Sequence, residues 1–105
     1  MPTYFLEDRC RDDFSRPTPE QQQAFRNARN AFIAALEANE ARGCRGIIDF
    51  PNSLRVKSVQ GHRGVWELTW ASDGRATWMY GRAVREGQYH IIWRRVGTHD
   101  ILRDP

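Results

Sequence analysis

Lysine is almost missing from this chain: fifteen of its sixteen basic residues are arginine, and Lys57 is the exception. Arginine presents a rigid planar fork suited to bidentate phosphate contacts. Cysteine is scarce too. Cys10 and Cys44 stand in unrelated contexts with no CxxC spacing and no neighbouring histidine, which excludes a zinc or dithiol redox motif. Two buried free thiols in a reducing cytoplasm are the expectation, with a single disulfide as the alternative. The opening MPTYFLEDRCRDDF has no basic segment followed by an apolar one, and no apolar run approaches membrane-spanning length. A soluble cytoplasmic protein without a membrane partner is expected. Internal repeats and low-complexity segments are absent, which excludes solenoids and linker-like chains.

What is present suits one domain over residues 1–105, with 40% hydrophobic residues in patterned positions. The net charge of +3 is unevenly spread. Residues 1–52 hold seven Arg against eight acids, and residues 53–105 hold nine Arg and Lys against five, giving −1 and +4. A basic C-terminal half points to a polyanion, nucleic acid first, or to an acidic protein partner.

Helical signals fill the first half. Tyr4 to Leu6 read as a brief strand, and Glu7 to Ser15 as a short helix with Cys10 and Phe14 on one side, ended by Pro17. Thr18, Pro19 and Gln21 then form an N-cap, a first-position proline and a capping box. Phe25, Ala28, Phe32 and Leu36 follow at helical spacing through roughly five turns, a core-facing stripe closed by Gly43 and Gly46. From Leu54 the period becomes extended. LRVKSVQ, GVWELTW, RATWMYG and YHIIWRRV are four strands, separated by turns at Gly61 to Gly64, Ser72 to Gly74 and Arg85 to Gly87. Short connections favour antiparallel neighbours, so the expected fold class is α+β: two N-terminal helices packed on a mostly antiparallel sheet of four to five strands.

The stretch Gln88 to Leu102 organises the rest. Its strand ends at Gly97 and sets down His99, where a side chain is held by a rigid element and still meets substrate. Strand alternation places Trp66, Leu68 and Trp70 inward and leaves Glu67 on the polar face, where a cross-strand arginine such as Arg75 can pair with it. Adjacent Arg94 and Arg95 should point to opposite faces, so that only one lines a cleft. Arg55 and Lys57, two apart, share a face and make a phosphate track. Trp78 and Tyr80 share a strand face and are the stacking surface to consider for bases. His90 reads as structural, whereas His62 and Arg63 sit in the Gly61 to Gly64 loop. The His99-Asp100 pair lacks companions at metal-ligand spacing, so no metal or other cofactor is expected.

A helical N-terminal half, then LRVKSVQG, a G-x-W-E-L strand, a strand ending in Tyr80-Gly81, and a closing WRRVGTHDIL resemble the RelE/ParE superfamily of toxins from bacterial toxin-antitoxin pairs. The closing G-T-H is similar to the YafQ-like branch in particular. The resemblance implies a compact toxin that enters the ribosomal A site and cuts mRNA without a metal. A cognate antitoxin is implied as the partner that wraps it and covers the basic cleft. Carried over, the histidine of G-T-H becomes His99, the basic residue opening the penultimate strand becomes Arg75, and the acidic position of the second strand becomes Glu67. YafQ-like members carry an acid at the position of Arg75. Here the acid, Asp73, stands two residues earlier. Lys57 occupies about the place of a histidine found before the Q-G in that branch, and His62 lies just beyond the glycine.

Cleaving RNA in this way requires a base for the 2′-hydroxyl, an acid for the departing 5′-oxygen, and positive charge around the phosphorus. His99 suits the acid, Glu67 or His62 the base, and Arg75, Arg94 or Arg95 the cationic clamp. The competing implication is a non-catalytic ParE-like toxin acting on DNA gyrase, or a repurposed relative that only binds a protein.

Overall fold

The computed structural model describes all 105 residues. Strand β1 (Thr3–Leu6) leads into helix α1 (Asp8–Phe14) and the long helix α2 (Pro19–Ala41). A 3-10 turn at Asn52–Leu54 precedes strands β2 (Lys57–Ser58), β3 (Trp66–Thr69), β4 (Gly74–Tyr80) and β5 (His90–Thr98), and a closing 3-10 helix spans His99–Arg103. The sheet order is β1-β5-β4-β3-β2, with β1 parallel to β5 and every other pair antiparallel. The expected α+β class is present, and the sheet is five-stranded and mixed.

The capping box at the start of α2 forms as its residues dictate: Thr18 Oγ1 accepts from the Gln21 amide at 3.2 Å, and Gln21 Oε1 accepts from the Thr18 amide at 2.9 Å. Its stripe of Phe25, Ala28, Phe32 and Leu36 is buried against Leu68, Ala76, Trp78, Ile91, Trp93 and Val96 of the sheet. Phe32 sits at the centre, 4.6 Å from the Trp78 ring and 5.4 Å from Trp93. Trp78 is therefore a core residue, 0% exposed, and offers no stacking surface to a base. Asn39 and Tyr89 tie the far end of α2 to the start of β5, with Tyr89 Oη donating to Asn39 Oδ1 at 2.6 Å.

Two sequence expectations fail for local reasons. The seven-residue strand from Leu54 shrinks to Lys57–Ser58, because Leu54 closes a 3-10 turn and Arg55 takes the left-handed conformation at φ 46°. Arg55 and Lys57 thus do not share a strand face. Cys44 is exposed, in a left-handed turn after α2, and only Cys10 is buried. Both thiols are free.

Candidate functional site

The sheet has a second face, opposite α2, on which the chemistry-bearing residues converge. Register aligns Lys57, Glu67, Thr77 and Arg95 across β2, β3, β4 and β5 in one row. Glu67 does not face solvent there: it is 5% exposed, and Thr77 beside it is 0% exposed. It does not pair with Arg75 either, since Arg75 lies opposite Thr69 and Gly97. No protein donor satisfies the Thr77 hydroxyl. The closing 3-10 helix lies on this face, with Ile101 so close over Gly97 that a Cβ there would meet Ile101 Cγ2 at 2.8 Å.

At one end of this face the backbone brings three of the expected residues together. Gly74 pairs with Thr98, so the β3–β4 turn carrying Asp73 stands next to the strand end carrying His99, with Arg75 on the following position. Directly opposed residues have Cα atoms about 5 Å apart, so the neighbours of this pair, Asp73 and Arg75 on one segment and His99 on the other, come to the same corner. His99 opens the 3-10 helix and is exposed, and Thr98 caps that helix by accepting from the Asp100 amide. Asp73 is likewise exposed in its turn.

Arg75 is held in place. Its Nη1 donates to the carbonyl of Gly74 at 2.9 Å and to those of Ala71 and Ser72 at 3.4 Å. These acceptors are neutral carbonyls, and its Nε and Nη2 have no partner in the chain. The Trp70 indole donates to Arg75 O at 2.9 Å and packs under Gly74, where a Cβ would strike it at 2.5 Å. This corner is rigid because the turn is closed by its own side chains.

Arg94 and Arg95 are engaged inside the fold. The β4–β5 ladder is interrupted after Thr77, which opposes Arg95, whereas Trp78 opposes Trp93; Arg94 is the extra residue of a β-bulge. Both guanidiniums consequently reach the C-terminal residues instead of splitting between faces. Arg94 Nη2 donates to Pro105 O at 3.0 Å and Nη1 lies 3.5 Å from Glu7 Oε2. Arg95 Nη1 donates to Asp104 O at 3.0 Å, and its Nε and Nη2 grip Asp13 at 2.7 and 3.2 Å. The hydrogen bonds that Arg95 donates to Asp13 raise its pKa above the ordinary value, against the opposing pull of burial. Arg9 adds contacts to Asp104 and Pro105.

The remaining expected residues lie elsewhere. His62 and Arg63 are exposed in the β2–β3 loop, beyond the Trp66–Trp78 level. That level is roughly 13 Å along β4 from the His99 corner at ~3.3 Å per residue. Lys57 is exposed at the sheet edge, and Arg55 belongs to the turn before it. Tyr80 is 36% exposed at the far end of β4, its ring 6.1 Å from Trp66, and burial raises its pKa. His90 Nδ1 shares a 2.7 Å hydrogen bond with Thr3 Oγ1. Sequence reading missed Asp13, Thr77 and the Arg9–Asp104 pair. Only Asp13 carried a signal, as an acid adjacent to Phe14 on the apolar side of α1. No set of His, Cys, Asp and Glu is grouped to hold a metal.

No protein-family model matches this chain and no curated protein matches it in sequence. Solved structures do match its fold. One is the crystal structure of the DinJ-YafQ toxin-antitoxin complex from E. coli, with a TM-score of 0.59 at 14% identity over 96% of each chain. A copper-bound mutant toxin from Helicobacter pylori superimposes with a TM-score of 0.58 at 15% identity, over 95% of this chain and 97% of that one. A histidine-to-glutamine mutant of E. coli YafQ gives 0.56 at 14% identity, over 97% and 98%. At such identities the likeness is one of fold.

Proposed function

We propose that this chain is the toxin of a type II toxin-antitoxin pair and a cytoplasmic endoribonuclease that cuts mRNA in the ribosomal A site, with a cognate antitoxin as its protein partner. The observation that carries the reading is the Gly74–Thr98 pairing, which assembles an exposed imidazole, a fixed uncompensated guanidinium and a carboxylate at one rigid corner. The fold shared with YafQ structures supports it.

In this reading the scissile phosphate lies against Arg75, whose free Nε and Nη2 donate to the non-bridging oxygens as charge gathers on them. A carboxylate takes the 2′-hydroxyl proton, the 2′-oxygen attacks phosphorus, and the bond to the 5′-oxygen breaks as His99 gives that oxygen a proton. The products are a 2′,3′-cyclic phosphate and a 5′-hydroxyl. Asp73, exposed beside His99, takes the part of the base ahead of Glu67, which is buried about three strand residues away. Residues of the chain fill each part, so the reaction is written without a metal.

The test is a translation extract programmed with one defined message, with transcript ends mapped for the wild type and for His99→Ala. Discrete cuts that fall by about 100-fold or more in the variant are expected. Cuts of equal yield would remove His99 from the chemistry. An intact message together with growth arrest that ignores His99→Ala would favour a ParE-like action on gyrase.

A further inference from the structure

The cleavage scheme leaves the Glu67 carboxylate unused. Glu67 is 5% exposed, yet it makes no hydrogen bond and no ion pair within the chain. Lys57 opposes it across β2 and β3, and Thr77 opposes it across β3 and β4, but neither bonds to it. Buried carboxylates are as a rule paired or hydrogen-bonded, because a charge taken from water without a donor is unfavourable. Thr77 Oγ1 is fully enclosed without a partner, whereas the Glu67 oxygens are not among the enclosed atoms, so the small exposed part of Glu67 includes its carboxylate. Two acceptor oxygens therefore reach the second face of the sheet unsatisfied.

Register sets where they stand. Arg75 lies two residues from Thr77 on β4, which makes it the diagonal neighbour of Glu67 on the same face. Diagonal neighbours have side chains starting about 7–8 Å apart. A phosphate held by Arg75 thus has its flanking nucleotide within reach of Glu67. A carboxylate offers two acceptors side by side and no donor. Guanine alone among the four RNA bases presents two donors side by side on its pairing edge, the ring N1–H and the exocyclic N2–H. Adenine and cytosine each set a ring-nitrogen acceptor beside their amino donor, and that lone pair would face a carboxylate oxygen. Uracil holds its single N3–H between two carbonyls. In single-stranded RNA these edges are free to be read.

We propose that Glu67 selects a guanine next to the scissile phosphate, its two oxygens accepting from N1–H and N2–H while Arg75 holds the phosphate. The proposal rests on the reading that message RNA lies on this face, and it gives that site a base preference. Glu67 transfers no proton here, and His99 and Asp73 keep the acid and base parts. Glu67→Gln turns one acceptor into a donor, and that pair matches the N6–H and N1 of adenine. The substitution should therefore redirect the preference from guanine to adenine.

The experiment titrates the full-length protein against labelled five-nucleotide RNAs, 2′-O-methylated so that the 2′-oxygen cannot attack, and follows fluorescence anisotropy. All positions are uridine except the centre, which is guanine, inosine, adenine, cytosine or uridine. The guanine RNA should bind at least tenfold tighter than the adenine RNA, the gain of one good bidentate contact. Inosine, which keeps N1–H and lacks the N2 amine, should fall between them. Glu67→Gln should bind the adenine RNA more tightly than the guanine RNA, with a urea midpoint no lower than that of the wild type. Equal affinity for the five RNAs, absent binding included, overturns the proposal. So does a guanine preference that survives Glu67→Gln. In the translation extract, wild-type cuts should carry guanine at one fixed position beside the cut, and the variant's cuts should carry adenine there. Cuts without a base preference remove the guanine assignment and leave the nuclease reading standing. An uncut message beside a Glu67-dependent guanine preference in the anisotropy keeps the base site and overturns the nuclease reading alone.

Discussion

Cys10 shows how far a residue's chemistry is decided by its surroundings. Burial pushes its thiol up to about 12, and the neighbouring carboxylates Asp13 and Glu7 push the same way against Arg95. In the folded chain the thiol is therefore inert near neutral pH, while the Cys44 thiol is exposed. A disulfide-exchange reagent should titrate one thiol in the native protein and two in denaturant. The linkage follows with a definite sign: above about pH 9 the unfolded chain loses the Cys10 proton and the folded chain keeps it, so stability falls as pH rises from 9 towards 12. Cys10→Ala should flatten that part of the pH profile of the urea midpoint. The carboxylates offer a second comparison. Glu67 is buried in the sheet and Asp73 is exposed in the turn next to the strand end that carries His99. Asp73→Asn should lower message cleavage by about 100-fold, whereas Glu67→Gln should change it by less than about threefold. The position of His99 just past a strand end was legible because Gly97 marks where β5 is about to stop. The burial of Glu67 was not, because alternation distinguishes two faces without saying what covers the second.

Helix α1, packed on the core through Cys10 and Phe14, is tied to β5 by the side chain of Asp13. Asp13, 7% exposed, accepts from the Val96 amide at 3.1 Å on the stretch of β5 that β1 does not reach, and grips Arg95 in the same act. It substitutes for a strand partner along an uncovered ladder. Asp13→Ala should cost about 3 kcal/mol, since it strands both a part-buried guanidinium and an edge amide. Asp13→Asn, which keeps an acceptor for Val96, should cost about half as much, read from urea midpoints at constant slope. The helices were legible element by element, because capping and periodicity are local: Thr18, Gln21 and the Phe25 to Leu36 stripe act as their spacing requires. The strands were legible only in their middles. The bulge that turns Arg94 and Arg95 to the same side is a property of two strands together, and nothing in WRRV marks it.

Across the whole molecule the charge asymmetry between halves is a device of assembly as much as of binding. Glu7 and Asp13 of the acidic half meet Arg94 and Arg95 of the basic half, and Arg9 meets Asp104 in return. The basic surplus open to a polyanion is accordingly carried by Arg55, Lys57, Arg63, Arg82, Arg85 and Arg103, all exposed, together with the uncompensated Arg75. These two groups of cations should separate in one measurement. If a short single-stranded RNA lies along the second face of the sheet, each phosphate partner removed lowers the slope of log affinity against log salt by about 0.7. Lys57→Ala and Arg63→Ala should each reduce the slope by about that much and leave the urea midpoint unchanged. Arg94→Gln and Arg95→Gln should leave the slope alone and lower the midpoint, because their partners are Pro105, Glu7, Asp104 and Asp13. A slope that falls with Arg94 or Arg95 would mean that RNA displaces Asp104 and Pro105 and takes their place between the arginines.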